Sequence, residues 1–265
     1  MDDNILVFIP AYRCEAQISR VLKQFAAPEI AARFSQIVVV DNQSPDNTQQ
    51  AAIATAKALA LGKISVVRNQ HNYGLGGSHK AAFLYAIQHQ CTHVVVLHGD
   101  DQGDIRDLIS VLDRGDHNRF DACLGARFMS GARLNGYSRF RIFGNHVFNI
   151  LFSIAAGQRF YDLGSGLNIY KVEPLSSGYW KPFYDNLMFN YCMILAHSIR
   201  KDRIRFFPIS WREDDQVSNV KLASQARRTL GILAFYVFGK KQFLTHEFRE
   251  LPREDYRFDV IQASL

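Results

Sequence analysis

The chain has 265 residues, of which 48% are hydrophobic and 21% charged, and its formal net charge at pH 7 is +6. This length suits one large domain or two small ones, and the apolar content excludes an intrinsically disordered chain. The 17 glycines, 7 prolines and 4 cysteines exclude collagen-like and disulfide-scaffold proteins. The excess of positive charge predicts an anionic partner, and nucleic acid, anionic lipid and phosphorylated metabolites all fit it.

Short apolar runs alternate with helical segments in the first half of the chain. The runs, rich in β-branched residues, predict strands over residues 5–9, 37–40, 64–67 and 94–97. The segments between them predict helices over 15–25, 48–61 and 78–89. This alternation indicates an α/β fold with a mostly parallel central sheet flanked by helices. Ligands of such sheets bind at the carboxyl ends of the strands.

The alternation loosens in the second half. We predict strands over 121–126 and 204–209, and helices over 138–156, 186–199 and 219–238. Residues 1–222 are expected to form one domain. Residues 223–265 are expected to form a C-terminal helix and tail, either part of that domain or in contact with a membrane or a partner.

The chain carries no obvious signal for export or membrane insertion. Its first four residues include two aspartates and no basic residue, where a signal peptide is basic, and no apolar run reaches the roughly 18 residues that span a bilayer. The four cysteines are scattered without the spacing of a metal site, as is typical of reduced core thiols. We therefore expect a cytoplasmic protein, with any membrane contact peripheral.

Two polar segments follow predicted strands. Asp41 ends the second strand, where a carboxylate can contact a nucleobase or ribose, or instead form the turn before the next helix. The run from Gly74 to Gly77 lacks the third glycine of a dinucleotide fingerprint, because His79 stands there. Its backbone N–H groups suit a phosphate at a helix N-terminus, although a plain turn fits the pattern equally well.

A third polar segment, residues 98–104, contains His98, Asp100, Gln102 and further carboxylates directly after a buried strand. Oxygen ligands on a turn suit Mg²⁺ or Mn²⁺, and an imidazole favours Mn²⁺. Such a cation offsets the charge of a leaving diphosphate. The alternative is a solvated acidic loop in which Asp104 caps the next helix.

These motifs together resemble the family 2 glycosyltransferases with the GT-A fold, in particular the polyprenol-phosphate sugar transferases. Residues 9–15 resemble the family's IPAYNE segment, 39–48 its VVDDGSxDxT, 72–76 its NxGxG and 98–102 its DxDxQ metal motif. Later matches are 125–128 to GSRF, 162–167 to DxxSGF and 218–222 to SKL. The resemblance implies a metal-dependent transferase using a nucleotide-diphosphate sugar.

The resemblance also implies roles for single residues. Asp41 contacts the base, and the nucleotide pocket is formed by Pro10, Tyr12, Glu15, Asn72 and Gly74. Asp100 and Gln102 bind the metal with His98, which replaces the family's first aspartate. Phosphate groups are held by Arg127, Arg139 or Arg141, Arg212 and Lys221. A second departure is Asn42, which replaces the second aspartate of the DDG element.

The stretch from residue 127 to 160 contains five arginines and no acidic residue. Arginine is well suited to phosphate contact. The broad apolar face of the helix in this stretch, which includes Phe148 and Phe152, is expected to lie on a bilayer or a partner chain, or the helix is an ordinary buried one with arginines at its rim. The apolar residues 229–238, with basic residues on both sides, are a second candidate for interfacial burial, and core packing explains them equally well.

The catalytic base is open at this level. Asp100, Asp162 and Asp214 are the catalytic candidates, and Asp185, Glu213 and Asp215 are further possible bases. A polyprenol phosphate acceptor is already anionic and needs no strong base. We expect an inverting transferase from UDP- or GDP-sugar to polyprenol phosphate. The alternatives are transfer to a saccharide hydroxyl in glycan assembly, and a nucleotide-sugar-binding protein without turnover.

Overall fold

The architecture is a central eight-stranded sheet, seen in a computed structural model that describes residues 3–213 and 222–264. The strand order is β10-β3-β2-β1-β4-β7-β5-β8, with β7 and β10 antiparallel to the rest. These strands are β1 (Ile5–Ala11), β2 (Gln36–Asp41), β3 (Ile64–Asn69), β4 (His93–Leu97), β5 (Ala122–Ala126), β7 (Leu167–Lys171), β8 (Ile204–Pro208) and β10 (Phe258–Gln262). The predicted mostly parallel α/β architecture is confirmed.

Helices cover both faces of this sheet, and β6 (Arg133–Asn135) pairs with β9 (Ser210–Arg212) beside it. The longer helices are α3 (Thr48–Leu59), α4 (Gly74–Gln88), α5 (Arg106–Asp113), α7 (Arg139–Ala156), α9 (Phe189–Arg200) and α10 (Leu222–Phe238). The shorter ones are α1 (Ile18–Lys23), α2 (Pro28–Ala31), α6 (Asp116–Arg119) and α8 (Val172–Leu175).

The inner strands form where the chain is apolar on both sides. Every residue of β1 and β4 is buried, and their side chains divide between two clusters, one on each face of the sheet. Such strands suit the centre of a parallel sheet covered by helices. Parallel pairing of β1 with β2 places Ala11 opposite Asp41, so the carboxyl ends of neighbouring strands meet at one edge.

Two strands of the central sheet were not predicted. β7 inserts antiparallel between β4 and β5, and β10 adds antiparallel to the outer edge of β3. β10 belongs to the 223–265 segment, so this segment contributes a strand to the central sheet. In β10, Val260 and Ile261 are exposed, and the strand it pairs with, β3, lies almost two hundred positions earlier in the chain. The local hydrophobic pattern therefore does not predict this strand.

The two helices that contain the candidate membrane contacts pack on each other. α7 and α10 contact each other, and both contact α9. Among the described residues, none of the helices combines the length and apolarity needed to cross a bilayer. The beginning of the predicted 219–238 helix and the 218–222 motif fall partly outside the described residues.

Candidate active site

An open cleft of about 370 Å³ lies at the carboxyl edge of the sheet, where β1, β4 and the N-terminus of α4 meet. The cleft contains several of the predicted nucleotide-pocket and metal residues together. Its lining is Pro10, Ala11, Tyr12, Cys14, Asn42, Asn72, Gly74, Leu75, Ser78, His98, Gly99, Asp100, Asn186 and Leu187.

The turn after β4 separates the acidic side chains of the metal motif. Asp100 faces the cleft, whereas Asp101 is buried beneath it in a left-handed backbone conformation, with φ of 60°. Arg20 Nε donates to Asp101 Oδ2 at 2.6 Å, and Arg212 NH2 pairs with the same oxygen. Gln102 lines a different cavity on the far side of the turn. Asp100 is therefore the carboxylate that this turn offers to a ligand in the cleft.

Burial sets the charge state of the two cleft-lining groups of this turn. It raises the pKa of Asp100 to about 6, so the carboxyl is mostly ionised at pH 7. Burial, helped by Arg127, lowers the pKa of His98 to about 4, so its imidazole is neutral. The His98 Nε2 atom is buried and has no hydrogen-bond partner among residues 3–213 and 222–264.

A carboxylate and a neutral imidazole with an unused nitrogen fit Mn²⁺ better than Mg²⁺. No group of three or more His, Cys, Asp or Glu side chains able to share a cation is present in the part of the chain that the structure describes. Further ligands for a cation in the cleft would therefore come from substrate oxygens, because the predicted ligand Gln102 lines the other cavity.

An asparagine network organises the cleft floor. Asn42 Nδ2 donates to Asn72 Oδ1 at 3.0 Å, and Asn42 Oδ1 accepts from the backbone N–H of Tyr73 at 2.9 Å and from Asn69 Nδ2 at 2.8 Å. The amide at Asn42 supplies both a donor and an acceptor here, which an ionised aspartate does not. This departure from the family pattern thus holds the 72–74 loop in place.

Two of the predicted nucleotide residues point elsewhere. The buried Asp41 accepts from the Ser44 N–H at 3.0 Å and lies 3.3 Å from Arg68 Nε. The exposed Glu15 accepts from the backbone and side-chain nitrogens of Asn47, before α3, at 3.2 and 3.1 Å. Neither lines the cleft in this arrangement, whereas Pro10 and Tyr12 do.

Arg127 and Asp162, predicted as a phosphate ligand and a catalytic residue, form a buried pair with each other. Arg127 Nε donates to Asp162 Oδ2 at 2.7 Å and its NH2 to Oδ1 at 2.8 Å, with side chains 11% and 1% exposed. Asp162 also accepts from the backbone N–H groups of Arg127 and Gly164. Both oxygens are occupied, so this carboxylate holds the loop before β7 rather than standing open as a base.

The remaining predicted cations lie outside the cleft lining. Arg141 donates to both carboxylate oxygens of Glu213, at 2.9 and 2.6 Å, and Arg212 Nε donates to the Asp101 carbonyl at 2.7 Å. Arg139 is exposed at the start of α7. Asp214, Asp215 and Lys221 lie outside the described residues.

Sequence reasoning missed one wall of the cleft, formed by Asn186 and Leu187. The preceding residues are held by Lys80, which is fully buried: its Nζ donates to the Phe183 carbonyl, to Asp185 Oδ1 at 2.7 Å and to Tyr256 OH at 3.2 Å. Burial lowers the pKa of Lys80 to about 8. The signal available in the sequence was the glycine run of α4, because glycines permit close backbone approach.

Gly76→Ala is expected to lower the free energy of unfolding by about 1–3 kcal/mol. A Cβ at Gly76 would lie 2.4 Å from the Tyr184 carbonyl oxygen and 2.6 Å from Phe189 Cβ, so α4 would have to move away from the cleft wall. Gly144→Ala is the matched helical control. Its Cβ meets nothing within 4 Å, so a gain of up to about 1 kcal/mol is expected. Urea unfolding measures both, and an unchanged Gly76→Ala would contradict the close packing.

Comparison with protein families decides which fold family these features represent. The model of glycosyl transferase family 2 matches residues 6–177. The chain belongs to this family. The match covers the cleft strands, the metal-motif turn and the Arg127–Asp162 pair. An uncharacterized protein of Methanocaldococcus jannaschii is 26% identical over 171 residues, which are 64% of this chain and 66%, just under two thirds, of that relative's length.

Solved structures share the transferase fold. Glucosyl-3-phosphoglycerate synthase from Mycobacterium tuberculosis, in complex with phosphoglyceric acid, aligns with a TM-score of 0.64 at 17% identity, over 89% of this chain and 80% of that one. Its complex with Mn²⁺, uridine diphosphate and phosphoglyceric acid gives 0.64 at 16% identity, over 99% and 88%. TarS residues 1–349 of S. aureus gives 0.58 at 17% identity, over 91% and 69%. These alignments confirm the GT-A fold.

Proposed function

We propose that this family 2 glycosyltransferase moves a sugar, with inversion, from UDP- or GDP-sugar to a polyprenol phosphate at the cytosolic face of a membrane. The observation that carries the lipid acceptor is an exposed apolar stripe on α7, linked to the metal-motif turn. The family match supports sugar transfer, and the Mn²⁺ and uridine diphosphate in a structural neighbour support the metal and the nucleotide.

The apolar stripe of α7 consists of six exposed side chains. At 100° per residue they fall within about 100° of the helix circumference, and the buried Asn149 and Phe152 lie on the opposite side. Phe140, Phe143 and Ile154 are 73%, 68% and 74% exposed, which is uncommon for large apolar residues on a soluble helix. The stripe is Phe140, Phe143, Val147, Ile150, Leu151 and Ile154.

The charges around this stripe suit anionic lipid. Residues 127–160 contain arginines and no acid. The adjacent α10 exposes Leu230, Val237 and Phe238, and basic pairs stand near both ends of this segment, at 227–228 and 240–241. Apolar side chains ringed by cations are the signature of an element that lies in the headgroup region of a bilayer.

Ion pairs connect the stripe to the cleft. Arg141, near the start of α7, binds Glu213, and the preceding Arg212 binds the backbone and side chain of Asp101 in the metal-motif turn. An acceptor whose chain lies on α7 would therefore extend its headgroup towards this turn from the end of the helix that carries the exposed Arg139. This is the placement that a phosphate on a long apolar chain requires.

Different residues of the chain then bind the nucleotide and the cation. Pro10, Tyr12, Asn72 and Gly74 enclose the nucleotide, while His98 and Asp100 would hold the divalent cation. That cation, when bound, supplies positive charge to the departing diphosphate. An acceptor phosphate oxygen attacks the anomeric carbon from the opposite face. Because it is already ionised, the reaction needs no base from the pinned Asp162, and Asp214 stays a candidate only for hydroxyl acceptors.

The deciding experiment measures nucleotide release from UDP- and GDP-sugars with Mn²⁺, Mg²⁺ or chelator, and with each acceptor class in turn. We expect metal-dependent release stimulated by polyprenol phosphate. Stimulation by phosphoglycerate or a saccharide instead would overturn the lipid acceptor and leave sugar transfer standing. Tight nucleotide binding without release under any condition would identify a binding protein without turnover.

A double substitution tests the membrane surface. Phe143→Glu with Ile150→Glu is expected to weaken binding to phosphatidylglycerol-containing vesicles about tenfold or more, because two apolar side chains leave the interface and negative charge enters it. Leu251→Glu with Val260→Glu, at 62% and 64% exposed positions elsewhere, is the matched control and should bind as wild type. Vesicle sedimentation measures the partition, and equal loss in both pairs would show that only net charge matters.

A further inference from the structure

A second, larger cavity of about 900 Å³ lies on the far side of the metal-motif turn from the cleft. The two share no lining residue: 98–100 face the cleft, and 102–104 face this cavity. It is bounded by the α1–α2 connection, the start of α5 and the β6–β9 pair. Its lining is Arg20, Lys23, Gln24, Ala26, Ala27, Ile30, Gln102, Gly103, Asp104, Arg106, Arg133, Leu134, Asn135, Ser210, Trp211 and Arg212.

Positive charge dominates this cavity. Five of its lining side chains are cationic. The one carboxylate among the lining residues is Asp104, and Arg106 Nε donates a hydrogen bond to each of its two oxygens. Lys23 and Arg133 are both exposed, and among the described residues neither has a carboxylate within ion-pair distance, although the charge of Arg133 also acts on the nearby Asp107. A concave wall with exposed cations favours a multivalent anion.

Neutral hydrogen-bonding groups complete the wall. The indole ring of Trp211 lines the cavity at 6% exposure, and its buried N–H has no acceptor in residues 3–213 and 222–264. A buried donor without a partner is costly, and an occupant with acceptor oxygens relieves that cost. The amides of Gln102 and Asn135 offer further donors.

We propose that this cavity is a binding site for a small phosphate-bearing anion, separate from the donor cleft. The arginine and lysine groups match phosphate oxygens, and the concave shape suits a small molecule rather than a nucleic-acid backbone. Arg20 and Arg212, which line the cavity, also hold Asp101 beneath the metal-motif turn. An occupant thus touches the same arginines that fix the turn carrying Asp100.

The test titrates inorganic pyrophosphate into the full chain in the presence of chelator, so that no metal holds the probe in the cleft. The chain has two tryptophans, and Trp180→Phe leaves Trp211 as the single fluorophore beside the cavity. We expect a saturable fluorescence change at constant ionic strength. Orthophosphate and glucose 6-phosphate as separate arms distinguish an inorganic from an organic phosphate ligand.

Lys23→Ala with Arg133→Ala is expected to weaken pyrophosphate binding about tenfold or more, since two charge-assisted contacts are lost. Lys57→Ala with Lys181→Ala removes the same charge from exposed sites elsewhere and should bind as wild type. Calorimetry on the unmodified protein repeats the comparison without Trp180→Phe. Unsaturable binding or equal loss in both double variants would overturn the proposal.

Discussion

Asp100→Asn is expected to lower kcat by a factor of about 10³ or more, while KM for the nucleotide-sugar changes much less. Asp100 is the carboxylate of the metal-motif turn that lines the cleft, because Asp101 is buried under two arginines and Gln102 lies across the turn. An amide keeps the shape but loses the charge that holds a divalent cation. Steady-state nucleotide release with saturating Mn²⁺ measures the loss.

Two further variants test whether the loss of activity comes from the metal site. Asp113→Asn removes an exposed carboxylate that pairs with Arg33 away from the cleft, and it should keep the wild-type rate. His98→Asp restores the carboxylate typical of the family and should shift the preference from Mn²⁺ towards Mg²⁺. A wild-type rate in Asp100→Asn, with normal circular dichroism, would sink the metal assignment.

Asp162→Asn is expected to lower the free energy of unfolding by about 3–5 kcal/mol and the Tm by roughly 10 °C. The variant leaves the guanidinium of Arg127 buried without its counter-charge, and removing one partner of a buried pair costs more than removing both. Thermal and urea unfolding measure the change.

The double variant Arg127→Met with Asp162→Asn separates packing from charge. It should recover much of the lost stability, because no unpaired charge remains. A double-mutant cycle over the wild type, the two single variants and the double variant gives the coupling free energy of the pair. If Asp162→Asn instead retained stability and lost kcat alone, Asp162 would be a catalytic group and the pinned arrangement would be wrong for the working enzyme.

The sequence predicted the parallel core well because β1 to β4 are apolar on both sides and each is followed by a turn and a helix. Prediction failed for β7 and β10, which pair antiparallel with strands distant in the chain. Helix α1 also begins later than expected, at Ile18, because the backbone N–H of Gln17 and that of Ile18 close a turn onto the Cys14 carbonyl.

The structure brings together in the cleft residues that lie at or just after strand ends, which are Pro10, Tyr12, Asn72, His98 and Asp100. Topology alone brings such positions together, so local motifs suffice to find them. The roles of charged side chains were predicted less well, because their partners come from distant parts of the chain. Three of the predicted phosphate ligands, Arg127, Arg141 and Arg212, bind carboxylates of the chain itself. Asn186 reaches the cleft only through the packing around Lys80.

That packing has a consequence for biosynthesis. Lys80 and its partner Tyr256 are 176 positions apart. At the usual 5 to 20 residues per second, a ribosome needs about 10 to 35 s to make the intervening chain. Throughout that interval the Lys80 ammonium lacks this phenol, although the Asp185 carboxylate is made earlier. The packing behind the cleft wall is therefore complete only when the last strand is nearly made, and protection of that segment by chaperones would matter most then.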